Sequence, residues 1–350
     1  MLNASEDLPM NQYILAPSCV PSAPGFETTG AHFRADKITE MLEWDRVLGL
    51  AEVMDFPGVL SCSEHMIEPL QAADRKNAYI QGHSPGLSGR ELSAYLCAGP
   101  KSDHEIRVTQ EAREKLRLGM TVDARESSIS QNLKELVPAL KGMDLVPNFT
   151  LCTDDREAAD LLKEGHMNYV VRRAIEEGLK PVEAIRYATL QAAQSIGIEN
   201  LGAIAPGYAA DFIILDSLTE MKASAVFYRG ELVAQEGKMS EPITKKSYEL
   251  EDKNTVSLSK LNTDDFLINV NAKKDTIKTN VISYISDDSL FSEFKVEELP
   301  LKNNYLDLSE TDGTNYVGVF NRFPNNDNRT LGVIRDFGLK EGAISSTVSH

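Results

Sequence analysis

The sequence predicts an α/β protein in which a parallel sheet with crossover helices is followed by β-rich regions. Between residues 12 and 155, strand-like apolar runs alternate six times with helical runs, which is typical of successive βα units. Near residues 196–200 the pattern changes to short strands separated by Gly and Pro turns. Polar residues cluster just past the ends of the predicted strands, so the sequence also indicates where a functional site would lie.

The six predicted units follow one another along the chain. Each strand is a short run that stops at polar or turn-forming residues, as His83 is followed by Ser-Pro-Gly. The predicted strands are 12–20, 46–53, 78–83, a short strand ending at 102–105, 121–127 and 148–155. The predicted helices are 37–45, one near 67–77, 89–99 and 109–119, with further helices after the last two strands.

The strand ends favour an incomplete (β/α) barrel of the TIM type over an open sheet. In barrels of eight such units, catalytic groups lie at the carboxyl ends of several strands. Four polar residues take such positions here, namely Glu52, His83, His104 and Asp154. An open sheet of six strands would lack nothing, but it concentrates its site at one switch point. We therefore expect a barrel wall of which this sequence supplies six strands.

Beyond the break, the sequence predicts two β-rich regions. Residues 201–216 and 225–237 are typical of a small β domain. After a polar, charged segment at 240–254, apolar and polar residues alternate at 266–270, 276–285, 305–310, 315–323 and 330–338. We predict a partial barrel at 1–196 that carries the site, a small β-sandwich segment at 197–239 and a mostly β (α+β) region at 240–350.

Composition and charge argue against several classes of function. The 350 residues carry a net charge of −17 without a basic stripe, which disfavours nucleic-acid binding. No apolar run reaches the roughly 18 residues of a membrane helix, and the first residues lack the basic and apolar regions of a signal peptide. Four scattered cysteines without a CxxC pair indicate reduced thiols. We expect a cytoplasmic protein with a small-molecule substrate and neither a nucleic-acid nor a membrane partner.

The four strand-end residues have the chemistry of a hydrolytic metal site. Imidazole and carboxylate ligands suit Mn, Fe and Zn alike, and such a site leaves one position open for water. A lone histidine in such a place is more often structural, but two at successive strand ends beside two carboxylates favour metal binding. Glu52 ends an apolar strand, where an unpaired carboxylate is costly, so it is either coordinated or paired with a nearby arginine.

Two acidic residues, Asp154 and Asp155, follow the last predicted strand. One of them can cap the helical run that starts at Arg156, because a carboxylate at this position accepts from free backbone N–H groups. We expect Asp155 to cap this helix and Asp154 to point into the site.

Together these motifs resemble those of the adenine deaminases of bacterial and archaeal type, in the amidohydrolase superfamily. The resemblance covers the chain nearly end to end, and the combination of motifs is specific to that family. The motifs are GHSPGLSGRELSAY at 82–95, SDHE at 102–105, LCTDDR at 151–156, and the segments 16–31, 49–60, 164–193 and 201–215. The run GAIAPGYAADFIILD alone would indicate only the superfamily.

The resemblance implies a centre with two divalent ions. Glu52 matches a carboxylate that bridges the ions after barrel strand four, and His83 and His104 match ligands after strands five and six. Asp154 matches the strand-eight aspartate that binds metal and carries a proton to the departing amine. Glu52 and Asp154 would thus be catalytic in the hydrolysis of adenine at C6 to hypoxanthine and ammonia. The residues implied to line the substrate pocket are Ser84, Gly86, Asp103, Glu105 and Asp155.

The sequence also departs from the family pattern. The family's His-x-His pair is absent, since no two of the six histidines lie two residues apart. Its Asp-Pro-His-Glu motif does not occur in the sequence either. The resemblance places Met1 just before barrel strand three and implies a continuation past residue 350. We therefore expect a fragment covering about strands 3 to 8, with weak binding of the second ion and little or no deaminase activity in isolation.

Two other functions stay open at this point. The chain could be an amidohydrolase that acts on a different cyclic amidine or amide, because substrate choice lies in loops. It could also be a non-catalytic fragment that binds a full-length homologue. The resemblance further suggests a homo-oligomer, and the ligand types do not distinguish among Mn, Fe and Zn.

Overall fold

The computed structural model describes residues 2–22, 24, 29, 31–143, 146–244, 256–284, 292–323 and 328–346. Part of the motif at 16–31, most of the segment predicted as linker at 240–254, and His350 lie outside the described residues. The chain divides into two units, Met1–Ser247 and Tyr248–His350.

Six strands and their helices open the first unit, and the predicted βα alternation is confirmed. The strands are β1 Ile14–Pro17, β2 Val47–Val53, β3 Tyr79–Gly82, β4 Ser102–Asp103, β5 Thr121–Arg125 and β6 Phe149–Cys152. The helices are α1 Ala35–Met41, α2 Phe56–Leu60, α3 Glu64–Arg75, α4 Gly89–Cys97, α5 Thr109–Arg117, α6 Leu133–Leu136, α7 Ala158–Lys163, α8 Met167–Glu176, α9 Pro181–Ala188 and α10 Leu190–Ser195. Short 3-10 helices span Leu2–Ser5 and Val137–Leu140.

The six strands pair in parallel in chain order, as β1-β2-β3 and β4-β5-β6. The backbone N–H of Lys101 donates to the carbonyl oxygen of Ile80 at 2.9 Å, which joins the start of β4 to β3. Among the described residues the strand order does not reverse in either group, so neither shows the switch point of an open doubly wound fold. Consecutive parallel strands form the wall of a (β/α) barrel, and the predicted fold class is confirmed.

A glycine at the end of β3 allows the two groups of strands to approach closely. A Cβ atom at Gly82 would lie 2.1 Å from the carbonyl oxygen of Ser102 in β4. No side chain fits there, because heavy atoms at this distance overlap. The close approach places the residues that follow β3 and β4 side by side.

Helices cover the sheet because their apolar residues recur at helical spacing. In α4, Leu92 and Tyr95 are buried, and in α8 the buried residues are Val170, Val171 and Ala174. Two apolar clusters result within the first unit. The first includes Ala16, Ile38, Leu50, Met66, Ile80 and Leu92, and the second includes Ile106, Val122, Leu136, Phe149, Val170 and Tyr187.

A small antiparallel sheet follows the βα units. Its strands are β7 Phe212–Leu215, β8 Ala223–Tyr228, β9 Glu231–Gln235 and β10 Lys238–Met239, in the order β10-β9-β8-β7. The structure keeps this sheet in the first unit, which ends at Ser247. The domain boundaries predicted after residues 196 and 239 therefore stay predictions.

The second unit is mostly β, as predicted. Its strands are β11 Thr276–Tyr284, β12 Ser292–Lys302, β13 Tyr305–Leu306, β14 Thr314–Phe320 and β15 Arg329–Arg335. They lie in the order β13-β12-β11-β15-β14, and only the β11–β15 pair is parallel. The buried core residues are Val281, Leu299, Leu306, Leu308 and Val333.

Two segments of the second unit differ from the sequence prediction. Residues 266–270 alternate apolar and polar side chains, yet they follow a 3-10 helix at Thr263–Phe266 and pair only through the single bridge between Asn269 and Tyr305. Strand β12 was not foreseen, because its Glu, Lys and Pro residues are unusual in a paired strand. Within the described residues, none of the helices combines the length and the apolar character needed to cross a membrane.

Candidate metal centre

Three of the predicted ligands meet at the carboxyl ends of β2, β3 and β4. Glu52 is the penultimate residue of β2, and His83 and His104 directly follow β3 and β4. Glu52 Oε1 lies 2.7 Å from His83 Nδ1, and Glu52 Oε2 lies 3.4 Å from His104 Nε2. One ligand atom from each residue lies within 4.8 Å of the others. The strand order thus brings Glu52 and His104, which are 52 residues apart in sequence, into one cluster with His83.

The cluster fits a divalent metal ion. Nδ1 of His83 and Nδ1 of His104 are buried, and the described residues offer neither nitrogen a hydrogen-bond partner. The 2.7 Å contact of His83 with Glu52 is therefore close but not aligned as a hydrogen bond. Buried nitrogens without partners are costly unless something binds them. Two imidazoles and a carboxylate are ligands that zinc, iron and manganese all accept.

The protonation of the cluster in the absence of metal follows from the same contacts. Burial raises the pKa of the Glu52 carboxyl, but the neighbouring His104 and His83 outweigh this effect and hold that pKa at about 2. Burial lowers the pKa of His104, but the contact with Glu52 outweighs it and raises that pKa to about 9. At neutral pH a proton on His104 therefore balances the Glu52 carboxylate. An incoming metal ion would have to replace this proton.

The fourth predicted ligand, Asp154, lies in a neighbouring group. Ligand atoms of His104, Glu105 and Asp154 come within 4.8 Å of one another. The buried guanidinium of Arg125, at the end of β5, pairs with Asp154 and lies 2.6 Å from Glu105. Asp154 also has a backbone φ of +52°, a left-handed conformation that is uncommon for residues other than glycine. Such conformations are concentrated at functional sites, because the surrounding structure must maintain them.

The prediction that Asp155 caps the following helix is wrong. Helix α7 begins at Ala158, and Glu157 takes the cap position without a side-chain hydrogen bond. The carbonyl oxygen of Asp155 instead accepts from the N–H of Ser128 at 2.9 Å. The polar residues after β6 therefore form an extended loop before the helix, which the sequence pattern did not show.

Two of the predicted substrate residues, Asp103 and Gly86, take part in hydrogen bonds that hold the ligand loops. Asp103 is fully buried, and one of its carboxylate oxygens lies 2.5 Å from Nζ of Lys115. Its other oxygen accepts from the N–H groups of Ser84 at 3.1 Å and Glu105 at 3.0 Å. Gly86 donates its N–H to a carboxylate oxygen of Glu111 at 2.7 Å. Carboxylates therefore hold the backbone of the loops after β3 and β4.

The structure adds three residues that the sequence analysis did not single out. Arg125 lies at a strand end, so the rule that found Glu52 could also have found it. Tyr95 and Lys115 gave no such signal, because both occupy helices that are typical of an amphipathic surface element. Their burial depends on the tertiary packing of the loops above them.

The second candidate group differs in its ligands from the first. The six histidines of the sequence include no His-x-His pair. Among the described residues, Asp154 and Glu105 are the carboxylates that join His104 in the second candidate group. Both are paired with Arg125, whose positive charge opposes a cation at the same place.

Comparisons with known proteins agree with this description. The profile of the amidohydrolase family matches residues 1–233, and that of the adenine deaminase C-terminal domain matches residues 289–350. Adenine deaminase of Clostridium acetobutylicum is 37% identical over 350 residues, which are all of this chain and 60% of that protein. Adenine deaminase 2 of Carboxydothermus hydrogenoformans is 39% identical over 353 residues, again covering all of this chain and 60% of the relative. The resemblance to adenine deaminases is thereby confirmed.

The chain spans about 60% of the length of these curated relatives. Among solved structures, a β-aspartyl dipeptidase from Fervidobacterium islandicum aligns with a TM-score of 0.49 and 17% identity, covering 69% of this chain and 70% of that chain. The family profile covers well over half of the sequence and includes Glu52, His83, His104 and Asp154. The chain therefore belongs to the amidohydrolase family.

Proposed function

We propose that this chain provides the metal-binding part of an adenine deaminase, which hydrolyses adenine to hypoxanthine and ammonia. The observation that carries the proposal is the meeting of Glu52, His83 and His104 at adjacent strand ends. It occurs in a chain whose whole length matches proteins named adenine deaminase. In the reaction a water oxygen replaces the exocyclic nitrogen at C6, and the amine leaves as ammonia.

Glu52, His83 and His104 would hold a divalent ion. Such an ion, when bound with an open position, lowers the pKa of water and stabilises developing negative charge. The three side chains lie at the ends of the consecutive parallel strands β2, β3 and β4, so the protein fixes their spacing before the ion arrives. The ligand types admit manganese, iron or zinc, and manganese is our first choice for a site that combines carboxylate with imidazole.

The family centre has two ions, and we propose that this sequence provides full ligation for one. For the second ion there would remain Asp154 and a bridging role of Glu52, which the family resemblance implies, without a His-x-His pair. We expect about one tightly bound ion per chain on the basis of these ligand sets. Elemental analysis after dialysis measures this ratio, and two tightly bound ions per chain would contradict the assignment.

Asp154 is the proposed proton carrier. Its carboxylate would accept a proton from the attacking water and deliver it to the departing amine. The Arg125 guanidinium pairs with this carboxylate and would keep it oriented towards the cluster. The left-handed backbone at Asp154 fixes the direction in which the side chain leaves the loop.

Adenine would bind above the ion, beside the loops that follow β3, β4 and β6. Glu105 and Asp155 are exposed or half-exposed and can reach a substrate, as can the backbone of Gly86. Ser84 and Asp103 are fully buried and hold the loops in place. We therefore propose that Ser84 and Asp103 contribute to adenine binding only through the loops they position.

Compartment and assembly are part of the same proposal. All four cysteines, Cys19, Cys62, Cys97 and Cys152, are unpaired, which supports a reducing compartment such as the cytoplasm. A role in purine salvage follows from the proposed product, hypoxanthine. A homo-oligomer is suggested by the family resemblance alone.

The test compares four compounds by two measurements, their binding to the chain and their deamination. With the chain loaded with Mn²⁺, thermal unfolding is followed with adenine, guanine, cytosine and a dihydropyrimidine, because a ligand that binds the folded state raises the midpoint. Ammonia release is followed with the same four compounds. We expect a shift of the midpoint with adenine alone and weak ammonia release confined to adenine. A response to another member of the panel would favour a different amidohydrolase, and no response to any of them would favour a non-catalytic chain.

A further inference from the structure

Two buried side chains connect the three strand ends that carry the ligands. The first is Tyr95 of α4, which is fully buried. Its hydroxyl donates to the carbonyl oxygen of Val53 at 2.7 Å and accepts from the backbone N–H of His83 at 2.9 Å. Val53 is the neighbour of Glu52, so one phenol oxygen ties the backbone of the carboxylate ligand to the backbone of the first imidazole ligand.

The second is Lys115 of α5, whose side chain has no exposed surface. Its ammonium donates to the carbonyl oxygen of Ser84 at 2.7 Å, to Asp103 Oδ2 at 2.5 Å and to Glu111 Oε1 at 2.6 Å. Ser84 follows His83, and Asp103 precedes His104. One ammonium group therefore ties together the two loops that carry the imidazole ligands.

The acceptors of Lys115 hold these loops a second time. Asp103 Oδ1 accepts from the backbone N–H groups of Ser84 and Glu105, on either side of the imidazole pair. The same oxygen of Glu111 that accepts from Lys115 also accepts from the backbone N–H of Gly86 at 2.7 Å. Two of the three acceptors of the ammonium, the Ser84 carbonyl oxygen and the Asp103 carboxylate, thus belong to these two loops, and the third, Glu111 of α5, binds the backbone of the first loop.

Stability alone does not explain why a lysine is buried beside these loops. Burying an ammonium and two carboxylates costs several kcal/mol per ion, and well-packed apolar residues often stabilise a fold as well. The charged groups instead fix positions, since each of their hydrogen bonds holds one polar group at a defined distance and angle. The three acceptors also leave the ammonium without a free proton for chemistry.

We propose that Tyr95 and Lys115 are positioning residues that fix the spacing of Glu52, His83 and His104 and thereby set the affinity and coordination geometry of the bound ion. This inference rests on the metal centre of the proposed function. Residues that orient metal ligands through hydrogen bonds typically change metal affinity by about 10- to 100-fold when they are lost. Tyr95 and Lys115 act on the backbone beside the ligands, so the same kind of loss is expected.

The experiment uses Co²⁺ as the probe, because its visible absorption reports coordination geometry. The full chain and its variants are titrated with Co²⁺, and affinity and spectrum are recorded well below the unfolding midpoint of each variant. Lys115→Met keeps the length of the stem and removes the ammonium, and Tyr95→Phe removes one hydroxyl. The matched control is Arg113→Met on the same helix, since Arg113 binds the carbonyl oxygens of Ala139 and Lys141 and none of the ligand loops.

We expect Lys115→Met and Tyr95→Phe each to weaken Co²⁺ binding about tenfold or more and to change the spectrum, whereas Arg113→Met leaves both unchanged. Folded variants that match the wild type in affinity and spectrum would overturn the proposal, as would an equal effect of Arg113→Met. If Lys115→Met does not fold, Glu111→Gln decides in its place, because it keeps the shape of one partner and removes its charge. A wild-type chain that takes up no Co²⁺ would overturn the metal centre itself and with it this inference.

Discussion

His104 combines three properties at the scale of single residues. It is buried, its Nε2 faces the Glu52 carboxylate at 3.4 Å, and its Nδ1 has no hydrogen-bond partner in the part of the chain that the structure describes. A buried imidazole in this state is bound either to a proton or to a metal ion.

Replacing His104 by asparagine should remove the ion. We expect His104→Asn to weaken the binding of Mn²⁺ by more than the roughly 10- to 100-fold that loss of an outer partner costs, because a direct ligand is lost. The control is His65→Asn, since His65 bonds Asp55 Oδ2 at 2.8 Å near the start of α3 and belongs to neither candidate ligand group. Calorimetric titration compares the variants, and equal affinities for His104→Asn and the wild type would remove His104 from the ligand set.

Metal affinity should rise with pH up to about 9. The pKa of His104 is raised to about 9 in the absence of metal, and the ion binds only the neutral ring. Below pH 9 each ion therefore releases about one proton, and affinity should increase by about tenfold per pH unit. Glu52, with a pKa of about 2, stays ionised throughout and adds no slope. Titration between pH 6.5 and 8.5 in buffers of different ionisation enthalpy measures the released proton, and a flat profile would contradict the prediction.

Site residues could be predicted from the sequence where they lie at the end of a strand. Glu52, His83 and His104 could be predicted because a polar side chain directly after an apolar run marks a strand end. Lys115 could not be predicted, since its burial requires carboxylates that arrive from two other loops. The cap assigned to Asp155 failed because the chain forms a loop, not a helix, directly after β6.

The contact between β3 and β4 is the decisive one at the scale of secondary structure elements. These two strands carry His83 and His104 at their ends, and Gly82 allows their backbones to approach. The length of each strand could be predicted from its apolar run. Their spacing could not, because it depends on the absence of a side chain at one residue whose neighbour is known only from the fold.

Adding a methyl group at Gly82 should separate the strands. We expect Gly82→Ala to lower the free energy of unfolding by about 1–3 kcal/mol and to weaken metal binding, since the new Cβ would lie 2.1 Å from the Ser102 carbonyl oxygen. Gly332→Ala is the control, because a Cβ there would meet only Val317, at 3.5 Å. Denaturant unfolding and Mn²⁺ titration measure the two effects, and a Gly82→Ala protein with wild-type values for both would show that the strands adjust freely.

In the second unit, composition and alternation predicted a strand at 266–270 that does not extend and did not predict β12. The run at 266–270 has the alternation of a strand, but it finds only one bridging partner and does not extend. The charged run of β12 is a full strand, because it pairs along its length with β11 and buries only Leu299 deeply. Pairing partners, which the sequence does not show, decided both cases.

The division into two units matters at the scale of the whole molecule. The first unit has two apolar clusters and the candidate metal centre, and the second has a core of its own around Val281, Leu299 and Val333. A unit with its own core can unfold by itself. The sequence indicated a change of texture near residue 200, but where cores separate depends on which strands pack together.

Damage to the second core should leave the metal centre intact. We expect Leu299→Ala, at a residue that is 1% exposed, to destabilise the second unit by about 2–5 kcal/mol without changing Mn²⁺ affinity. Val296→Ala on the same strand is the control, because Val296 is 69% exposed and should change stability little. Calorimetric unfolding with and without Mn²⁺ tests this, and a parallel loss of metal affinity in Leu299→Ala would mean that the two units are coupled.

Because Lys115 is buried, the rate at which a reagent labels its amine should report how often the site opens. Amine-reactive reagents modify only an unprotonated amine that meets solvent, whereas the Lys115 ammonium is fully buried and donates to three acceptors. Labelling followed by mass spectrometry should modify Lys180, which is 81% exposed, at once and Lys115 only as fast as the two ligand loops separate. Since an ion that binds the closed state slows separation, Mn²⁺ should protect Lys115 and leave Lys180 unaffected. The rate at one nitrogen would then report how long the folded site stays assembled.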